Sequence, residues 1–215
     1  ENYNDHLLIN SLDQLGIRET DIDFVILSHL HFDHAGGLMP SYKEKDSQML
    51  HFPNAQYIVS KGAFQRAQSP HLRDRASFIP DLQKLLLASG RLKLVTSTTI
   101  PELFPEIISF RFSDGHTPGQ MLTTITGKKE TFIFAGDLVP GSQWVSNAIT
   151  MGYDRFPEKI IDEKSDLYSE AIPNQLQLFF THDNKWAYAK AALNPNGNAT
   201  AIEPLFHLQQ YEIQY

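Results

Sequence analysis

Six consecutive residues hold the densest chemistry in this sequence. His29-Leu30-His31-Phe32-Asp33-His34 sets three imidazoles and a carboxylate in a row, and Ala35-Gly36-Gly37 follows. Imidazole is the commonest metal-binding side chain, and carboxylates are the usual oxygen ligands beside it. Alternate side chains of extended backbone point the same way, so His29 and His31 can converge on one ion. Asp33 and His34 follow where the chain must turn, and they can face a second ion. Gly36-Gly37 lets backbone approach such a site without a Cβ in the way. The element that must position the motif is the preceding run Phe24-Val25-Ile26-Leu27-Ser28. It is apolar and partly β-branched, and it reads as a buried strand.

Three later stretches carry related signals: Gly115-His116-Thr117-Pro118-Gly119, Ala135-Gly136-Asp137, and Phe180-Thr181-His182-Asp183. With the first motif, and in this order, they resemble the metallo-β-lactamase-fold hydrolases. The resemblance implies an α/β (α+β) fold, an αββα sandwich with metals at one edge between two mixed sheets. It implies that His29, His31 and His116 hold one metal, that Asp33, His34 and His182 hold the other, and that Asp137 bridges them. The cofactors expected are two divalent cations, zinc first, with Mn, Fe, Co or Ni also accepted by His/Asp ligands. Such a pair lowers the pKa of a shared solvent molecule from about 15.7 toward 7. The expected reaction is attack by that hydroxide on a lactone, ester or phosphoester. Asp33, the catalytic residue, orients the solvent and passes its proton to the leaving group. Asp183 reads equally as a partner of the ligand His182 or as a surface carboxylate.

The run Ser28 to Gly37 resembles most the lactonase and organophosphate-hydrolase branches, which cleave acyl-homoserine lactones, related lactones or phosphotriesters. The lactonases have a Tyr shortly after the bridging Asp, whereas here Asp137 is followed by Leu138-Val139-Pro140-Gly141. Tyr153, later in the same loop, is the candidate substitute. Phe32, Leu38, Met39 and Trp144 are candidates for an apolar pocket wall. A glyoxalase II-type thioesterase needs a further C-terminal domain, and a true β-lactamase generally carries Cys at the bridging position. The alternatives kept are a mononuclear-iron sulfur dioxygenase and a non-catalytic member of the same fold. A diiron flavoprotein would need a flavin domain.

The 215 residues fit one domain, 1–215, with 41% apolar and 20% charged residues. A net charge of −7 argues against a nucleic-acid-binding surface. The basic pairs Lys43/Lys45, Arg73/Arg75 and Lys128/Lys129 read as solvated loops. There is no cysteine, so disulfides and thiolate ligands are excluded. No apolar run approaches the roughly 20 residues of a membrane span, and the start Glu1-Asn2-Tyr3-Asn4-Asp5 does not read as a signal peptide. The expectation is a cytoplasmic protein with a small-molecule substrate and neither nucleic-acid nor membrane partners. Members of the resembled family carry several strands ahead of the first metal motif, so this chain is expected to lack its N-terminal strands. Its own N-terminal segment or a homodimer is the expected complement.

The patterning predicts helices over about 5–16, 62–68, 81–89, 157–171 and 186–193. It predicts strands over 24–28, 55–60, 92–95, 107–112, 120–126, 131–135 and 176–180. A polar loop over 40–48 is expected at the site rim. His6, His51, His71 and His207 lack motif context and read as structural or surface histidines.

Overall fold

The structure, a computed structural model, describes residues 6–40, 49–104 and 107–206. It divides into two compact units, residues 1–96 and 97–215, and each builds its own core. Most of the expected loop at 40–48, and His207, lie outside the described residues.

The first unit is a three-stranded parallel sheet with helices. Strand β1 (Phe24–Ile26), β2 (Gln56–Ser60) and β3 (Leu92–Val95) pair in the order β1-β2-β3. The centre strand needs apolar residues on both faces, and Tyr57, Ile58 and Val59 are fully buried. Helix α1 (Leu7–Gln14) starts at His6, whose ring accepts the Ile9 amide, and Gly16 closes it at φ 73°. Only Ile9 and Leu12 of α1 pack on the core. A single helical turn, α2 (Phe32–Ala35), carries the second half of the strand-end motif. Ser60 ends β2 and caps α3 (Lys61–Gln68), its hydroxyl accepting the Ala63 amide at 2.9 Å. Helix α4 (Leu82–Ala88) follows, with Gly90 at φ 67° after it.

The second unit is a six-stranded mixed sheet. Strands β4 (Ile108–Ser113), β5 (Gln120–Thr126), β6 (Thr131–Phe134), β7 (Gln177–Phe179), β8 (Tyr188–Leu193) and β9 (Ala199–Leu205) pair in sequence order. Every pairing is antiparallel except β6 with β7. That parallel pair requires a crossover, and helix α5 (Pro157–Ala171) supplies it, with Pro157 in its first turn. The core joins Leu122 and Ile133 of the sheet to Ile160, Leu167, Tyr168 and Ala171 of α5. The hairpin around Gly127–Glu130 and the bounds of α5 match the pattern read from the sequence.

One element differs in type. Residues 186–193 are expected to be helical, but Tyr188–Leu193 is strand β8, paired to β7 and β9. Alanine and leucine in Ala187-Tyr188-Ala189-Lys190-Ala191-Ala192-Leu193 favour a helix. Burial of Tyr188, Ala189 and Ala191 inside the sheet outweighs that preference of a few tenths of a kcal/mol per residue. Asn194-Pro195-Asn196-Gly197 therefore turns a hairpin instead of ending a helix, with Gly197 at φ 78°.

Candidate metal centre

In the first unit the motif leaves β1 in extended conformation and then coils. His31 keeps extended angles (φ −68°, ψ 154°) as the N-cap of α2, and Asp33 and His34 lie within the turn. His29 is central and fully buried. Its ring centroid lies 4.5 Å from that of His31 and 4.1 Å from that of His34. Ser28 Oγ is 3.1 Å from His29 Nδ1, and the Phe78 ring packs edge-on against His31 at 4.9 Å. Asp33 Oδ2 lies 3.5 Å from His34 Nε2, with the aspartate side chain 37% exposed. The strand end thus gathers three imidazoles, with the carboxylate on their solvent side.

In the second unit the sheet topology does the gathering. Asp137 follows the C-terminal end of β6, and His182 follows the C-terminal end of its parallel neighbour β7. The β4–β5 connection carries His116, and β5 runs antiparallel to β6, so this loop opens at the same sheet edge. Gly136, at φ 51°, supplies the left-handed residue that turns Asp137 out of the strand.

Asp137 presents one oxygen to each histidine. Oδ2 lies 3.3 Å from His116 Nε2, and Oδ1 lies 3.3 Å from His182 Nε2. Donors bonded at about 2.1 Å to one tetrahedral ion lie roughly 3.4 Å apart, so both spacings suit shared ligation. Thr181 Oγ1 donates to Asp137 Oδ1 at 3.2 Å, and the Asp137 amide donates to Gln120 Oε1 at 3.2 Å.

The histidines are held from behind. His116 Nδ1 is 2.9 Å from Asp154 Oδ1, both residues being buried. A carboxylate can only accept, so Nδ1 carries the proton and the Nε2 lone pair is left for a cation. Glu163 of α5 accepts the Ser113 hydroxyl and the Asp114 and Gly115 amides, pinning the loop that presents His116. A Cβ on Gly115 would lie 2.8 Å from Ile160 and Glu163, which explains glycine before His116. His182 donates its amide to Pro140 O at 2.7 Å.

Asp183 is neither a free surface carboxylate nor a partner of the His182 ring. Its Oδ2 accepts the Ser142 amide and hydroxyl, and its Oδ1 accepts the Lys185 and Trp186 amides. Burial would raise its pKa, but these four hydrogen bonds outweigh burial and hold the carboxyl at about 2.

Of the expected substrate contacts, Phe32 and Tyr153 are exposed, Met39 packs on the first unit's core, and Trp144 is half-buried against Gly141. A cavity of about 360 Å³ lies in the second unit between the 142–149 loop and β9, and Trp186 lines it.

Sequence reasoning missed Asp154, Glu163 and Lys164. Lys164 alone had a legible signal: a charge within the apolar stripe Ile160, Leu167, Tyr168 and Ala171 of α5.

The family model described as the metallo-beta-lactamase superfamily matches residues 1–171, which include both β6 and the His29–His34 motif. The chain belongs to the metallo-beta-lactamase superfamily. An N-acyl homoserine lactonase from Bacillus sp is 26% identical over 178 residues, 82% of this chain and 62% of the lactonase. The chain thus spans less than two thirds of that relative's length. A probable metal-dependent hydrolase from Staphylococcus aureus superimposes with a TM-score of 0.76 at 24% identity, over 92% of this chain and 68% of that one. AidC, a dizinc quorum-quenching lactonase solved with a product, gives 0.74 at 22% identity, over 94% and 71%. These likenesses establish the metallo-beta-lactamase fold. Among the described residues no helix is long and apolar enough to cross a membrane.

Proposed function

We propose that His29, His31, Asp33, His34, His116, Asp137 and His182 hold two divalent cations, zinc in the first instance, and that the protein hydrolyses a lactone, ester or phosphoester. The observation that carries this reading is Asp137, with one carboxylate oxygen 3.3 Å from each of two imidazole Nε2 atoms. That is the arrangement a bridging ligand requires.

The donor set fits the group. It is made of imidazoles and carboxylates with no thiolate, which suits zinc and the other borderline divalent ions. As the family resemblance implies, His29, His31 and His116 would hold one cation, Asp33, His34 and His182 would hold the other, and Asp137 would serve both. When bound, two such cations supply a hydroxide at neutral pH and polarise the oxygen of the scissile group.

The chain's own residues do the rest. Asp33 is the exposed carboxylate of the motif. It holds the attacking solvent by its proton and returns that proton to the leaving oxygen. Asp154 holds His116 by its Nδ1, so that Nε2 is the nitrogen turned toward Asp137. Phe32 lies exposed and available to a substrate's apolar part. The lactonase-like substrate class is supported by the relative from Bacillus sp, while Leu138-Val139-Pro140 after Asp137 leaves Tyr153 to hold a carbonyl oxygen.

Metal analysis of protein purified without added metal tests the reading, together with turnover on a panel of lactones, esters and phosphotriesters. Two zinc or manganese ions per chain and turnover of at least one class are expected. A single iron with no hydrolysis would overturn it.

A further inference from the structure

Lys164 of α5 is completely buried. An ammonium there is costly unless it is paired and hydrogen-bonded, and an aliphatic residue would complete the stripe of Ile160, Leu167 and Tyr168 without that cost. The lysine Nζ donates to Trp144 O and Ile149 O at 2.6 Å and to Ser146 O at 3.3 Å. These are neutral acceptors. Asp154, also buried, lies five residues beyond Ile149, just after the segment that these carbonyls belong to. Asp154 spends one oxygen on His116 Nδ1 and the other on the Met151 amide at 2.6 Å. The backbone closes the same arc: the Arg155 and Phe156 amides donate to His116 O and Gly115 O at 3.1 and 2.8 Å.

We infer that Lys164 and Asp154 are positioning residues for His116. Lys164 ties the carbonyls of the 144–149 segment to α5, the continuation of that segment sets Asp154 against His116, and the Asp154 carboxylate holds the imidazole by its Nδ1, so that Nε2 is presented beside Asp137. Lys164 thereby acts on the centre through two intervening groups, touching neither a ligand atom nor a substrate. This rests on the reading that His116 is a metal ligand.

The test is zinc affinity by competition with a chromogenic chelator, on the full chain, for Asp154→Asn, Lys164→Gln, the double variant and His116→Ala. Asp154→Asn keeps the shape and removes the charge, and Lys164→Gln keeps donors for the carbonyls. Asp154→Asn is expected to weaken zinc binding by about 10- to 100-fold, the range for loss of a ligand's hydrogen-bond partner. Lys164→Gln should weaken it in the same direction. The double variant should bind about as well as Asp154→Asn alone, because both changes act through the one segment that presents Asp154 to His116. Wild-type affinity in Asp154→Asn, or penalties that multiply in full, would overturn the inference.

Long-range proton–nitrogen correlation spectra of the metal-free protein give a second readout, one that a merely structural role would not move. His116 should be an Nδ1–H tautomer in the wild type and a mixture in Asp154→Asn. An unchanged tautomer overturns the inference even if Lys164→Gln fails to fold. If His116→Ala alone loses zinc, the inference falls and the ligand reading stands. If His116→Ala also keeps wild-type affinity, both fall.

Discussion

Glu163 reaches 50 residues back in the sequence to accept the Ser113 hydroxyl at 2.7 Å, and it takes the next two backbone amides as well. A helix that never enters the sheet thus decides where the His116 loop sits. Glu163→Ala would leave three donors without this acceptor. The expected cost is about 2 kcal/mol, or roughly 4–8 °C in Tm for a chain of this size. Thermal unfolding measures it, and a change within about 0.5 kcal/mol, the level of an ordinary surface substitution, would show that the loop is held by other contacts.

Asp183 ties the His182 loop to Ser142, and its carboxyl sits at about 2, against an ordinary 3.8. A carboxyl lowered on folding contributes stability that is fully present above its unfolded value and is lost as pH falls through its folded value. Wild-type protein should therefore lose Tm more steeply than Asp183→Asn between about pH 4 and pH 2. Parallel curves over that window would refute the assignment.

Lys164 carries the opposite sign. Burial pulls its pKa down to about 8, against Asp154, which raises it. The unfolded chain then holds more protons than the folded chain between pH 8 and the ordinary 10.5, so stability rises with pH across this interval. The Tm of wild type relative to Lys164→Met should rise from pH 8 to pH 10. A constant difference would mean that the ammonium is not desolvated.

Asp33→Ala and His116→Ala are each expected to lower hydrolysis by orders of magnitude while circular dichroism stays that of wild type. Asp33, at the solvent side of its imidazole cluster, should lose turnover with little loss of stability. Near-wild-type turnover in either variant removes that residue from the mechanism.

The regular elements that build the sheets were legible wherever local pattern and tertiary demand agreed. The run before His29, the hairpin around Gly127–Glu130 and the stripe of α5 all announce themselves. Strand β8 did not, because its alanines speak for a helix and only the neighbours β7 and β9 make it a strand. The ligand candidates were legible through their short motifs, each with a turn or strand end attached. Their supports were not. Asp154 lies 38 residues from His116 in a loop with no periodicity, and a lone Asp beside Tyr153 carries no sign of what it faces. Gln120 reads as a strand residue until its side chain is seen accepting the Asp137 amide.

Neighbouring residues of α5 hold two different loops: Glu163 the one that carries His116, and Lys164 the one over residues 144–149. A drift in helix rotation or a one-residue insertion ahead of Glu163 would release both loops together, since successive residues on a helix differ by about 100° in direction. In a library of random variants, intolerance should extend to Glu163 and Lys164, since each holds a loop in place.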